Sequence, residues 1–238
     1  MGKVWLLTRR ELSAYFVSPI AYVAMALFLV IAGFFFGLAD FRPGAPAAMR
    51  SIFDVMMVVL VFILPIVAMR SLAEERRTGT LETLLTAPVT DVQVVVAKFL
   101  GCWLFYLAML APTAVYVAVL AAFGNPDFGP ILSGYVGLAL LGALYVGVGL
   151  AASALTSNQV IAAVTAFAVL MVLAALAPWI GTAVPPPWRG ILLQASVRMH
   201  YADFSQGVVD LVHVIYFVAV TLLALFLTVK ILESRRWR

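Results

Sequence analysis

Six stretches of this chain run for about twenty residues with almost no charge: Ile20–Leu38, Ile52–Met69, Phe99–Phe123, Ile131–Leu155, Val160–Trp179 and Val212–Ile231. A helix rises about 1.5 Å per residue, so each is long enough to cross a hydrocarbon core of about 30 Å. Lipid offers backbone groups no partners, which leaves helices and closed barrels as the only spanning structures. Barrel strands alternate polar and apolar residues, whereas these runs are continuously apolar. The sequence therefore predicts an all-α integral membrane protein. It has six transmembrane helices in one domain, 1–238, preceded by an N-terminal interfacial amphipathic helix, with re-entrant or interfacial helices before the last span. Composition agrees: 65% of the residues are hydrophobic and 11% charged, far from the balance of a water-soluble domain.

Sidedness follows from Lys and Arg. With both termini cytoplasmic, the inner side carries Lys3, Arg9, Arg10, Arg70, Arg76, Arg77, Lys98, Lys230, Arg235, Arg236 and Arg238, and the outer side only Arg42, Arg50, Arg189 and Arg198. The pI of about 9.4 then reflects attraction to anionic lipid, and nucleic acid is not an expected partner. No small-residue cleavage pattern follows the first apolar run, so a removed signal peptide is not expected. Cys102 is the one cysteine and falls within a span, which excludes an intramolecular disulfide or a cysteine metal site.

In the N-terminal segment, residues 1–19, Trp5, Leu12 and Phe16 fall close to one helical line, with Lys3 and Arg10 nearly opposite. Together with Arg9 they describe an elbow helix lying at the lipid interface, or else a basic flank that only sets topology. Pro65 and Pro112 interrupt the second and third spans, where each removes a backbone donor. In the fourth span Ala139, Ala143, Gly147 and Ala151 recur every four residues, a spacing that lets helix backbones approach closely, within one chain or between two copies. The longest outer segment, 180–211, carries VPPPWRG and SVRMHYADFSQGVVDL and is apolar enough for short helices at the interface. The terminal KILESRRWR, with Trp237, reads as a basic interfacial anchor.

Between the second and third spans lies a polar island, EERRTGTLETLLTAP, within a loop over 70–98. The second span continues as helix through Glu74, Glu75, Arg76, Arg77 and Thr78, and Gly79 is placed to end it. Thr80 is a natural N-cap for a short helix with Glu82 in its first turn. Leu81, Leu84, Leu85 and Pro88 give that helix an apolar face, yet it is too short to be stable without a partner surface. Thr90-Asp91-Val92-Gln93 reads as a capping box that starts the helix entering the membrane near Lys98.

The stretch RSLAEERRTGTLETLLTAPVTDVQVVVAKFLG resembles the loop between the second and third spans in type-2 export permeases of ATP-binding-cassette transporters. The likeness extends over the whole chain, with an N-terminal interfacial helix, six spans and a long outer segment before the last. HYADFSQGVVDLVHVIYF and ALFLTVKILESRRWR are similar to the ends of permeases in the gliding-motility branch. The resemblance implies a coupling helix over Thr80 to Leu85, with the three leucines as anchors and Glu74, Glu75, Arg76, Arg77 and Glu82 as polar contacts. It also implies two copies of a separate ATPase subunit that carry ATP and Mg, and a second permease copy or a different permease. An envelope or accessory membrane protein is a further candidate partner, and the expected place is the bacterial cytoplasmic (inner) membrane.

The chain has no G-x-x-x-x-G-K-[ST] phosphate loop, so the ATPase has to be another chain, and no cofactor is expected here. The spans carry no charges near their centres of the kind a proton or sodium relay uses. Two rival readings remain. One is a scaffold that anchors an ATPase and passes mechanical work to an envelope protein without substrate flux. The other is a membrane enzyme using His200 and Asp203, with His213 and Asp210 nearby and a metal between the two aspartates on one helix face.

Overall fold

The computed structural model describes residues 2–40, 48–80, 89–185 and 188–236. Among these there is no strand, and six helical stretches are long and apolar enough to cross a membrane. The elements are α1 (Gly2–Val17), α2 (Pro19–Ala39), α3 (Arg50–Ala68), α4 (Arg70–Thr78), α5 (Asp91–Leu110), α6 (Ala114–Phe123) and α7 (Phe128–Leu155). They continue with α8 (Gln159–Met171), α9 (Ala177–Ala183), α10 (Trp188–Ala195), α11 (Val197–Phe204) and α12 (Leu211–Arg236). The spans are α2, α3 with α4, α5 with α6, α7, α8 with α9, and α12, each containing a stretch read from the sequence.

The fourth span, α7, is the hub. It packs against α3, α4, α5, α8, α11 and α12, and 72% of its most apolar window is buried, against 28% for the first, fifth and sixth spans. Its small residues explain how so many neighbours fit. A Cβ on Gly142 would lie 2.0 Å from Cε1 of Tyr106, whose hydroxyl donates to the Leu138 carbonyl at 2.8 Å. The anticipated stripe packs within the chain at the two positions where its neighbours are defined. Trp103 Nε1 donates to the Ala139 carbonyl at 3.0 Å, and Gly147 faces Thr221 and Ala224 of α12. Ala143 is buried and Ala151 half-buried.

Three spans are interrupted. The second breaks at Met69, four residues past Pro65. The third passes through a 3-10 turn at Ala111–Thr113, where Pro112 sits. The fifth contains a π-helical turn at Val172–Leu176 for which the sequence carried no signal.

The N-terminal segment forms the helix α1, which ends before the first span begins. Thr8 and Tyr15 are the buried residues of α1; Trp5 is exposed, Leu12 packs against the core, and Phe16, though exposed, meets the buried Phe105 ring edge-on at 5.5 Å. Helix α1 lies against α5, where the Tyr15 ring stacks on Phe105 at 5.3 Å and Glu11 reaches Lys98. In the 180–211 segment, α10 and α11 are the two short helices. Val197, Tyr201 and Phe204 of α11 are buried, and Ser133 of α7 donates to the Phe204 carbonyl at 2.8 Å.

Candidate functional site

The polar island is held by its first helix, α4, which is bound to three others. Ser71, Leu72 and Ala73 form its buried turn. At the break before it, the hydroxyl of Ser153 from α7 enters the backbone ladder, donating to the Met69 carbonyl at 2.9 Å and accepting from Leu72 N at 3.1 Å and Ala73 N at 2.9 Å. Insertion of a side chain into the ladder is a recognised cause of a helix break. It also caps amides at the start of α4 that would otherwise lack partners. One turn on, Arg76 Nη1 donates to the Ala154 carbonyl at 2.7 Å, closing the C-terminal end of α7. The start of α4 is thus fixed to the end of the hub helix.

An ion cluster fixes it to α1 and α5. Lys98 is only 2% exposed, and its Nζ lies 2.7 Å from Glu75 Oε1 on α4 and 3.1 Å from Glu11 Oε1 on α1. Gly101, one turn along α5, allows this closeness, since a Cβ there would meet Glu11 Cβ at 2.7 Å. A buried cation needs such partners, because desolvation costs several kcal/mol per ion without them. The Tyr15 and Ser71 hydroxyls share a hydrogen bond of 2.7 Å, and Arg70 donates to Ser18 and, at 2.8 Å, to Glu74. Burial pushes the Tyr15 phenol well above its ordinary pKa, with Cys102 beside it adding to the rise, so it stays neutral. A cavity of about 290 Å³ opens between α1, α2, α3, α4 and α5, lined by Arg10, Tyr15, Ser18, Ile66, Arg70 and Glu75 among others.

Gly79 ends α4 with φ of 74°, the left-handed conformation glycine adopts without a Cβ penalty, and Arg76 and Arg77 in the last turn complement the helix dipole. Thr80 turns back onto α4, its hydroxyl 2.9 Å from that of Thr78. The far side of the loop begins with the full capping box: Gln93 N donates to Thr90 Oγ1 at 3.3 Å and Thr90 N to Gln93 Oε1 at 3.2 Å. Leu81, Glu82, Leu84, Leu85 and Pro88 lie outside the described residues. Of the polar residues assigned to the loop, Glu74, Glu75 and Arg76 are engaged within the chain, while Arg77 and Thr78 are exposed. Sequence reasoning missed Glu11, Lys98 and Ser153. The available signals were a lysine one turn inside an apolar helix and an acid in an otherwise basic elbow.

A second polar cluster sits at the opposite end of α7. His213 Nε2 of α12 is 2.6 Å from Asp203 Oδ2, the Nδ1 atoms of His200 and His213 are 2.7 Å apart, and His200 Nε2 is 2.9 Å from the Gln194 carbonyl. The rival reading's placement of Asp203 and Asp210 on one helix face does not hold. Helix α11 ends at Phe204, a turn through Gly207 intervenes, and Asp210 accepts instead from Val212 N at 2.9 Å, at the start of α12. Among the described residues no group of three or more His, Cys, Asp or Glu side chains is arranged to hold a metal ion.

Six apolar helices packed about a largely buried fourth span, with a charged, cross-braced loop at one end, are the architecture of a multi-pass membrane protein. The family model for the ABC-2 family transporter protein matches residues 48–193, which is more than half of the chain and includes the whole loop. The chain belongs to this family and is the permease subunit of an ABC transporter. No curated protein matches it.

Proposed function

We propose that this permease couples ATP hydrolysis on a separate ATPase subunit to movement of a hydrophobic or amphipathic substrate, with the Glu74–Pro88 loop as the docking element. It works as a pair, with itself or with a different permease, and each member binds one ATPase that carries ATP and Mg. It lies in the bacterial cytoplasmic membrane with both termini inside. The likeness of its C-terminal stretch, 200–238, to gliding-motility permeases favours an additional envelope partner.

The observation that carries this reading is the bracing of α4. Ser153 and Arg76 fix it to α7, and Lys98 fixes it to α1 and α5. A loop that only set topology would need no such anchorage. A loop that receives a push must be tied to the helices that move.

Co-purification of the tagged chain, expressed with its genomic neighbours, tests the proposal against a Leu81→Asp/Leu84→Asp variant. An ATPase retained by the wild type and lost from a stable, membrane-inserted variant supports docking. An ATPase that binds both equally, or neither, overturns it. Reconstitution of the wild-type complex then separates transport from the scaffold reading, which requires ATP hydrolysis without flux.

A further inference from the structure

The chain has two histidines, and the fold brings both together with one carboxylate. The hydrogen bonds fix how many protons the cluster must hold. The Gln194 carbonyl can only accept, so His200 Nε2 carries a hydrogen. The contact of 2.7 Å between the two Nδ1 atoms requires one hydrogen between them, because two lone pairs at that distance repel. The contact of 2.6 Å between His213 Nε2 and Asp203 Oδ2 requires another. Two neutral imidazoles and an ionised carboxylate bring only two hydrogens, and the geometry uses three.

We propose that His200, His213 and Asp203 form a proton-binding site that latches the α10–α11 pair to the last span, α12. In the latched state the extra proton lies on the His213–Asp203 contact, and His200 is a neutral acceptor toward His213. Burial favours that neutral form: it lowers the His200 pKa from its ordinary value, with nearby His213 acting in the same direction and the Gln194 carbonyl and Asp203 opposing.

The remaining groups around the pair leave this assignment standing. Tyr216 of α12 stacks on His200 at 3.8 Å and spends its hydroxyl on the Ala195 carbonyl at 2.7 Å. Phe204 is the ring on the far side of His213. Asp210 is bound to the start of α12, and Arg198, two residues before His200, is exposed. From α7, Ser133 reaches α11 through the Phe204 carbonyl and adds no charge. Tyr201 points the other way, into the core, and burial holds its phenol well above the ordinary value.

The latch is broken from both sides of a pH window. When the cluster releases its proton at high pH, one of the three contacts becomes lone pair against lone pair. When His200 gains a proton at low pH, two N–H groups meet at the Nδ1 contact. The second arm has a definite sign. A base whose latched pKa lies below its free value supports the latch fully above that free value, about 6.5 for histidine. The support is lost as pH falls through the latched value. Each unit of displacement changes the latching equilibrium about tenfold.

Nitrogen NMR of the full-length protein, labelled with ¹⁵N-histidine in lipid nanodiscs, reads this directly, because two residues give two ring systems. At the pH where the latch is tightest the expected spectrum shows one imidazole protonated on both nitrogens and one neutral Nε2–H tautomer, with a coupling between the two rings. In Asp203→Asn the doubly protonated ring should become neutral at the same pH. Protection from hydrogen exchange over 197–204 in the wild type, relative to the intrinsic rate at each pH, should be greatest inside the window and lower on either side. Two independent neutral imidazoles in the wild type would overturn the proposal without recourse to any variant. So would protection over 197–204 that does not change with pH. None of these readouts depends on ATPase binding, so they stand or fall apart from the coupling proposal.

Discussion

Removing the Ser153 hydroxyl attacks the joint between the second span and α4 without touching the polar island itself. Ser153→Ala deletes three hydrogen bonds at a fully buried position, one to the Met69 carbonyl and two from Leu72 N and Ala73 N. Left unsatisfied, each buried group costs about 1–3 kcal/mol. The backbone has an alternative, because in a regular ladder Ala73 N would bond to the Met69 carbonyl and Leu72 N to that of Ala68. Straightening the joint recovers those bonds, so the net loss is close to that of a helix cap, about 2 kcal/mol at its upper end. Straightening also swings α4 away from Lys98 and Ala154, which is where the functional effect arises. At about 2–4 °C per kcal/mol for a chain of this size, the thermal midpoint should fall by about 4–8 °C. Intrinsic tryptophan fluorescence in detergent measures it. Thr165→Ala is the control, since that exposed hydroxyl bonds only to its own helix at the Ile161 carbonyl, 2.8 Å away. If Ser153→Ala and Thr165→Ala melt together within about 1 °C, the ladder insertion does not hold the joint and the argument fails.

Gly142→Ala should destabilise by about 1–3 kcal/mol through overpacking, because the new Cβ meets the buried Tyr106 ring at 2.0 Å; Gly147→Ala, whose Cβ would meet Ala224 at 3.4 Å, an ordinary contact distance, should be mild, and paired thermal melts compare them. Lys98→Met leaves the Glu11 and Glu75 carboxylates facing one another in a largely buried site, a loss of about 3–5 kcal/mol. Adding Glu75→Gln to that variant should recover part of the loss, since breaking a buried ion pair costs more than replacing it. A double variant no more stable than Lys98→Met alone would show that the cluster does not act as a unit.

The spans were legible because a continuous apolar run of about twenty residues has few other uses. The stop at Gly79 and the capping box at Thr90 were legible because both are local, written within four residues of chain. What escaped depends on contacts between distant segments. Ser153 reads as one small residue in an apolar span, and its value comes from meeting Met69, 84 residues away. Lys98 reads as a topology flank until Glu11 and Glu75 arrive from two other helices. Trp5, Leu12 and Phe16 share one line of α1 in the sequence, yet which of them meets protein depends on α5 being its neighbour. The His200–His213–Asp203 cluster escaped for the same reason, since a spacing of thirteen carries no helical or strand periodicity.

The placement of polar groups constrains how work would travel between the two ends. Helix α7 holds the Phe204 carbonyl through Ser133 near its start and the Met69 joint through Ser153 near its end. Those serines are twenty residues apart, or about 30 Å along a helix axis. Between them α7 runs as uninterrupted α-helix, while the second span breaks at Met69, the third passes a 3-10 turn at Ala111–Thr113 and the fifth a π turn at Val172–Leu176. Interrupted helices bend where their ladders are broken, and an unbroken, closely packed one moves as a unit. On the proposed coupling, a displacement of α4 would therefore reach the α10–α11 pair as a rigid-body shift of α7, with the bending left to its neighbours. A proline inserted midway in α7 would test stability and nothing else. The informative change is at the ends, where Ser133→Ala should loosen α11, and with it the histidine latch, while leaving the α4 joint intact. Faster hydrogen exchange over 197–204 with unchanged exchange over 70–78 is the expected pattern, and equal loosening at both ends would mean that α7 is not the strut.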